Sequence, residues 1–335
     1  MGIPWNIAVR SPQRGHGEYR RTGWTRTEDA VAGMSEHKVA WSFRGSEVVV
    51  AAERLGRGPT VLLLPALSSI STKDELRPLQ ELLSGRFETL AIDWPGFGVL
   101  DRPFIQWSPA IYREFVDFLL DQVVVRPWAI IAAGHAAGYV VDHAAKKGAA
   151  SHLLILLSPT WRGPLPTMMG GDRPIFEKLA NAVDPPVVGP VVYRLNVNRW
   201  VVGMMSRGHV YSDPRWLTPS RLHDKLRVTG ARGARHASVR FVAGQLDPFR
   251  SRTELLQAVA AIDVPLLNVF SLHAPRKSRL EMEAIASQPN VTTVRVPDGK
   301  LSFYEEHPEA AAGAVLDFLV QNGAAAAVTT PEPAG

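Results

Sequence analysis

The residues with most chemical promise surround a run of small side chains, Gly134-His135-Ala136-Ala137-Gly138. An apolar stretch at 130–133 enters this run, and a helix-like stretch through Tyr139, Val140, Val141 and His143 leaves it. A strand that turns sharply into a helix presents one side chain at the end of a sheet, and the strained turn needs small neighbours. A serine at the centre would be a nucleophile; the centre here is Ala136, which has no hydroxyl. Other reactive groups are dispersed. His135 precedes the centre and reads as a packed histidine behind the turn rather than as a base. A solvated lysine is protonated near neutral pH and becomes a base only when burial lowers its pKa, so Lys300 reads as an ion-pair partner of Asp247 or Glu305 before it reads as a reactive amine. Ser68 and Ser69 lack an evident base, and His273 stands alone. The remaining histidines, among them His143, His152, His209, His223 and His236, have no metal-ligand spacing.

The elements that must position these groups are legible along the chain. Residues 38–44 alternate, Gly45-Ser46 turns, and 47–52 continue, which is a hairpin signal. Continuous apolar runs at 60–64, 87–92, 128–133, 153–157, 265–272 and 291–296 predict strands buried on both faces of a parallel sheet. Thr72-x-x-Glu75 has the form of a capping box, although Pro78 moves the start of the regular helix towards itself. Ser108-Pro109 opens another helix, and helices are predicted over 253–261, 279–286 and from Pro308. Residues 161–236 break the alternation and are rich in Pro, Met and Trp, with a further apolar run at 239–243 after them. The most apolar part, 187–205, contains Arg194 and Arg199 and so is not a membrane span; it reads as packing on a pocket mouth. Strands alternating with helices argue a doubly wound sheet.

Composition narrows the classes. At 335 residues and 46% hydrophobic, the chain suits one large α/β domain with an insertion. With no cysteine it has no disulfide, no thiolate chemistry and no Cys-ligated zinc. No apolar run reaches membrane-span length, the N-terminal stretch lacks a signal-peptide core, and Asn6 stands where a myristoylation start wants Ser or Thr. A cytoplasmic protein is expected. The net charge is +5, and Arg10, Arg14, Arg20, Arg21 and Arg26 form a basic leader that reads as solvated. It carries no nucleic-acid motif, so no nucleic-acid partner is expected.

The run at 134–138 resembles the Gly-x-Ser-x-Gly elbow of the α/β-hydrolase family, with Ala136 at the serine position. Asp93-Trp94-Pro95-Gly96-Phe97-Gly98 resembles another turn of that family, Asp-x-x-Gly-x-Gly-x-Ser, with Leu100 for the serine. Pro65-Ala66-Leu67 stands where the family's His-Gly-x loop lends a backbone N–H to the oxyanion hole; the resemblance implies Leu67 and Ala137 as the donors. Gly299-Lys300 stands for the family's Gly-His, which puts Lys300 at the base position and leaves His307 as a helix cap. Two registers remain for the acid. Asp247, before Pro248, resembles the family's acid turn but lies 53 residues before Lys300; Ala274 lies 26 before it, a spacing similar to the family's, and is the preferred register.

The resemblance implies an α/β fold: a doubly wound, mainly parallel sheet with an inserted helical lid. The expected divisions are a disordered leader at 1–36, core at 37–160, lid at 161–236, core at 237–322 and a disordered tail at 323–335. The expected function is that of a protein without a Ser-His-Asp triad, a non-hydrolytic pseudoenzyme or binder of a small hydrophobic molecule. Trp161, Arg162, Trp200, Met204 and Tyr304 are expected at its pocket, and a protein partner is a second kind of occupant. The alternative is an enzyme of the family, either an esterase-like hydrolase in another register or a triad-independent lyase or cofactor-free catalyst using His135, Asp247 or Lys300. Neither a metal nor a cofactor is expected.

Overall fold

A computed structural model describes residues 25–27 and 34–324. One nine-stranded sheet runs through it, in the spatial order β1-β2-β3-β5-β4-β6-β7-β8-β9. The antiparallel edge is β1 (Thr25–Thr27), β2 (Met34–Phe43) and β3 (Ser46–Leu55). Strand β3 joins β5 antiparallel, and from there all pairs are parallel: β4 (Thr60–Leu64), β5 (Glu88–Ile92), β6 (Ala129–Ala133), β7 (Leu153–Leu157), β8 (Leu266–Ser271) and β9 (Val291–Val296). The helices between them are α1 (Arg77–Leu83), α2 (Pro109–Phe118) and α3 (Ala136–Lys147). The insertion after β7 holds α4 (Pro164–Met169), α5 (Pro174–Ala182), α6 (Val188–Asn196), α7 (Arg199–Met205), α8 (Pro219–Gly230) and α9 (Ala234–Val242). Then come α10 (Arg252–Ala260), α11 (Arg276–Ala286), α12 (Phe303–Glu306) and α13 (Pro308–Leu319).

The central strands are apolar throughout because both of their faces are covered. Successive side chains point to opposite faces. Leu62, Leu64, Ile130 and Ala132 join a core with Phe115 of α2, Val140 of α3 and Leu255 of α10. Val61, Leu63, Ile131 and Ala133 join the other core with Leu79 and Leu83 of α1 and Val315 and Leu319 of α13. The site-bearing loops therefore leave central strands that are covered on both faces.

Three expectations change. The insertion expected to end at 236 runs on: residues of the apolar run at 239–243, through Val242, close α9, and β8 pairs directly with β7. Its backbone hydrogen bonds are satisfied within the helix, while His236 and Arg240 on the same helix reach Asp184. The leader expected at 1–36 contributes β1 and the start of β2, and its other residues lie outside the described ones, as does most of the tail expected at 323–335. Thr72 does cap the turn at Lys73–Leu76, accepting from Asp74 N, but Glu75 does not complete a capping box; its side chain turns inward.

Leu63 is fully buried between α1 and β6 in the second core. Leu63→Ala is expected to cost about 2–5 kcal/mol of unfolding free energy, because the surrounding strands cannot collapse on the void. Chemical denaturation with an unchanged slope checks it.

Candidate functional site

The strand-to-helix turn is built at the end of β6, and its left-handed residue is Gly134, with φ of 52°. Gly134 N donates to Leu157 O at 2.9 Å, and Gly134 O accepts from Thr160 N at 3.0 Å, so the turn is stitched to the end of β7. A Cβ at 134 would stand 3.0 Å from the Ala66 methyl. Ala136 is not the left-handed residue. It lies in the first turn of α3, fully buried in the core that holds Leu64 and Ala132. The strain falls two residues earlier than the motif spacing predicts, because the small pair Gly134 and Ala66 lets the backbones approach there.

One of the expected backbone donors, Ala137 N, is engaged within the turn, and so is the N–H of the residue before the other, Leu67. Ala137 N donates to Gly134 O at 3.3 Å within the turn itself. In the loop after β4, Ala66 N donates to Glu75 Oε1 at 2.6 Å, while the Leu67 side chain is fully buried in the core.

His135 caps α3 and is 1% exposed. Its Nε2 lies 2.9 Å from Leu246 O and 3.6 Å from Asp247 Oδ1, and its Nδ1 is buried without a partner. Burial pushes its pKa down to about 4. Asp247 accepts from Gly163 N at 2.8 Å, and burial pushes its carboxyl up to about 8. Both side chains are thus neutral at pH 7, and their close approach is not an ion pair. The histidine is a packed side chain and the aspartic acid a tie to the start of the insertion.

Lys300 pairs with neither Asp247 nor Glu305. Its ammonium donates to Arg207 O and Gly208 O, both at 3.0 Å, and so clasps the insertion from the end of β9. Ala274 is buried with Phe270 and Met282. The ends of β8 and β9 are joined instead by Ser271 Oγ donating to Gly299 O at 2.6 Å.

Motif reading missed a buried polar cluster beside this turn. Glu75 is 2% exposed and takes the Ala66 N–H and, at 3.2 Å, the Tyr304 hydroxyl. Burial pushes its pKa up to about 7, with Lys225 opposing and Glu305 adding to the rise. Lys225 of α8 donates to Glu305 at 2.9 and 3.2 Å, and Tyr211 OH donates to Glu305 Oε2 at 2.8 Å. Burial alone would lower the Lys225 pKa, but Glu305 and Glu75 hold it above its usual range. Glu306 accepts from Ser212 N and Asp213 N at 2.9 and 2.6 Å. The cluster joins segments near 75, 211, 225 and 305. A glutamate that fits a capping box and a lysine in an insertion give no local signal of meeting.

The turn, its loop and the sheet order can now be set against known proteins. The sequence profile described as "Alpha/beta hydrolase family" matches residues 61–314. The chain belongs to the α/β-hydrolase family. Wild-type Cfl2 from Burkholderia cenocepacia is 21% identical, with TM-score 0.66 over 88% of this chain and 98% of that one. The haloalkane dehalogenase DatA from Agrobacterium tumefaciens C58 is 17% identical, with TM-score 0.62 over 86% and 97%. A bromoperoxidase from Bacillus anthracis is 15% identical, with TM-score 0.62 over 84% and 99%. No curated protein matches the sequence. At these identities the structural likeness is one of fold.

Within this α/β-hydrolase scaffold, the five residues expected at a pocket do not converge. Trp161 is buried in one core, with Nε1 donating to Glu281 Oε2 at 3.1 Å and the Arg162 guanidinium 4.3 Å from its ring centre. Tyr304 belongs to the other core. Trp200 and Met204 face solvent, because α7 turns Val202 and Gly203 inward. A surface depression of about 620 Å³ lies between α1 and α13, and one of about 370 Å³ is lined by Arg102, Phe104, Arg235 and His236; neither touches the turn. Among the described residues no three His, Asp or Glu side chains gather as a metal site.

Two outcomes are expected. Gly134→Ala forces a methyl towards Ala66 in a left-handed backbone and should cost about 1–3 kcal/mol, read by denaturation. Asp247 binds a proton in the folded chain that it releases when unfolded at neutral pH. Its raised pKa therefore contributes stability that is complete below the unfolded value near 4 and is lost as pH rises towards 8. Asp247→Asn keeps an acceptor for Gly163 N and removes that loss, so its melting temperature relative to the parent should climb from pH 5 to pH 8.

Proposed function

We propose that this α/β-hydrolase-family chain is a non-hydrolytic member, kept for its scaffold and for binding a small hydrophobic molecule rather than for acyl transfer. One observation carries the reading: neither residue that can occupy the elbow, Gly134 by backbone strain or Ala136 by motif spacing, has a side chain able to attack a carbonyl. The rest of the neighbourhood supports it. Lys300 is engaged by carbonyls of the insertion, His135 is neutral and hydrogen-bonded to backbone, and the Ala66 N–H already holds a carboxylate. With the nucleophile gone, backbone donors and binding alone would leave only a weak residue of catalysis, about 10³–10⁴ over water in a working family site. A structural neighbour that is a haloalkane dehalogenase supports small apolar molecules as the ligand class of this scaffold. The helical insertion would be the cap of that site.

A second reading is favoured by Glu75. A buried carboxyl poised at about 7, touched by a tyrosine hydroxyl and facing a lysine, is the kind of group that serves general acid–base catalysis. In this reading the chain is a triad-independent catalyst, and Glu75→Gln abolishes its turnover while leaving ligand affinity intact.

Fluorophosphonate labelling and activated-ester kinetics separate these from a conventional hydrolase. The expected result is no labelled residue and no burst. Ala136→Ser is expected to gain no ester hydrolysis, since its hydroxyl would enter the first turn of α3 in the core. Stoichiometric labelling of any serine, mapped by mass spectrometry, would overturn the proposal. A panel of small apolar ligands should raise the melting temperature, because binding to the folded state alone stabilises it. Trp200→Ala should leave that shift unchanged, as Trp200 faces solvent.

A further inference from the structure

The run at 187–205, expected to pack on a pocket mouth, instead faces outward. On α6, Val188 and Val191 are 57% and 58% exposed, and Val187 just before it is 78% exposed. On α7, Trp200 is 71% and Met204 48% exposed. The spacing 187, 188, 191, 194 follows one face of α6 and ends on the exposed Arg194, while 200 and 204 share one face of α7, which opens at the exposed Arg199. The opposite faces supply the buried side chains, Tyr193 on α6 and Val202 on α7. Val197 between the helices packs against both of those small cores. Five large exposed apolar side chains on two adjacent short helices are more than scattered surface residues need.

The charge of the segment that carries this face is predominantly positive. Residues 161–236 hold twelve Lys and Arg against five Asp and Glu, a net +7, although the whole chain carries only +5. From 185 through 212 there is no Asp or Glu at all, while Arg194, Arg199 and Arg207 are all exposed. Among the described residues none of these three arginines forms an ion pair. An apolar face that carries tryptophan and valine, is rimmed by arginine and is cleared of carboxylates has the chemistry of an interfacial helix: apolar side chains enter the acyl boundary while guanidinium groups stay with the headgroups. A protein interface would gain from carboxylates of its own for register; an anionic bilayer penalises each of them.

We propose that the outward face of α6 and α7, centred on Trp200 and Val191 and rimmed by Arg194 and Arg199, docks the protein on an anionic lipid surface. The chain rests on the headgroup layer and does not cross it; among the described residues no helix is long and apolar enough to span. The docked face is on the insertion that Lys300, Glu305 and Glu306 tie to the core, so the sheet and its elbow are held at a fixed stance above the membrane.

Flotation of the full chain with vesicles tests this. The chain should rise with vesicles of phosphatidylglycerol and phosphatidylcholine, stay down with phosphatidylcholine alone, and be released by high salt. Arg194→Gln and Arg199→Gln should each weaken the partition by about fivefold. Trp200→Ser should weaken it further, with an unchanged melting temperature because the side chain is exposed. Absence of flotation with the anionic vesicles at low salt would overturn the proposal. So would undiminished binding of the Trp200→Ser, Arg194→Gln double variant, which would assign the lipid contact to another basic segment. A dimer in velocity sedimentation that Trp200→Ser dissolves, with no flotation of the parent, would assign the face to a second copy and overturn it equally.

Discussion

The close approach of Gly134 to Ala66 is the constraint on which the strand-end region depends. The backbone turns from β6 into α3 through a left-handed glycine whose missing Cβ would touch the methyl of the β4 loop. That contact fixes where α3 begins, and so sends Ala136 and Ala137 into the core rather than to the end of the sheet. It also leaves the Ala66 N–H beside Glu75, which takes it as a hydrogen-bond donor. The left-handed residue of this turn, a glycine, presents only backbone.

The second determinant is the set of polar ties between insertion and core. Lys225 and Glu305 are a largely buried ion pair, and such a pair is stabilising only when further hydrogen bonds satisfy both partners. Tyr211 supplies one of them, and Glu306 takes two backbone N–H groups from the next residues of the same segment. Lys300 closes the row by capping carbonyls at 207 and 208. Breaking one partner would leave the other charge buried, so the ties act as a unit and hold the insertion in place more than they add net stability.

Membership of the α/β-hydrolase family is compatible with many activities, since function lives in sites placed on a fold. The neighbours in structure, a haloalkane dehalogenase and a bromoperoxidase among them, illustrate that breadth at 15–17% identity. In this chain the groups of chemical interest are a glycine at the strained turn, His135 and Asp247 behind it with their charged forms disfavoured by burial, a carboxyl pushed towards neutrality at Glu75, and arginine with exposed tryptophan on the insertion.

The sequence by itself determined the parallel sheet, because strands covered on both faces must be apolar throughout, and the runs at 60–64, 129–133 and 153–157 announce that burial without reference to anything distant. It also determined that no serine lies between Gly134 and Gly138. Tertiary structure decided the rest. The residue that takes the strain depends on how close the β4 loop comes, which is a contact across 68 residues of chain. The 239–243 run became helix because α9 had partners at Asp184 and β8 had no room for another strand beside β7. Glu75 became a buried acid because Tyr304, 229 residues away, closes over it. Trp200 became surface because α7 had a better inward face in Val202 and Gly203. Local pattern records which residues must be buried; it does not record which distant group will do the burying.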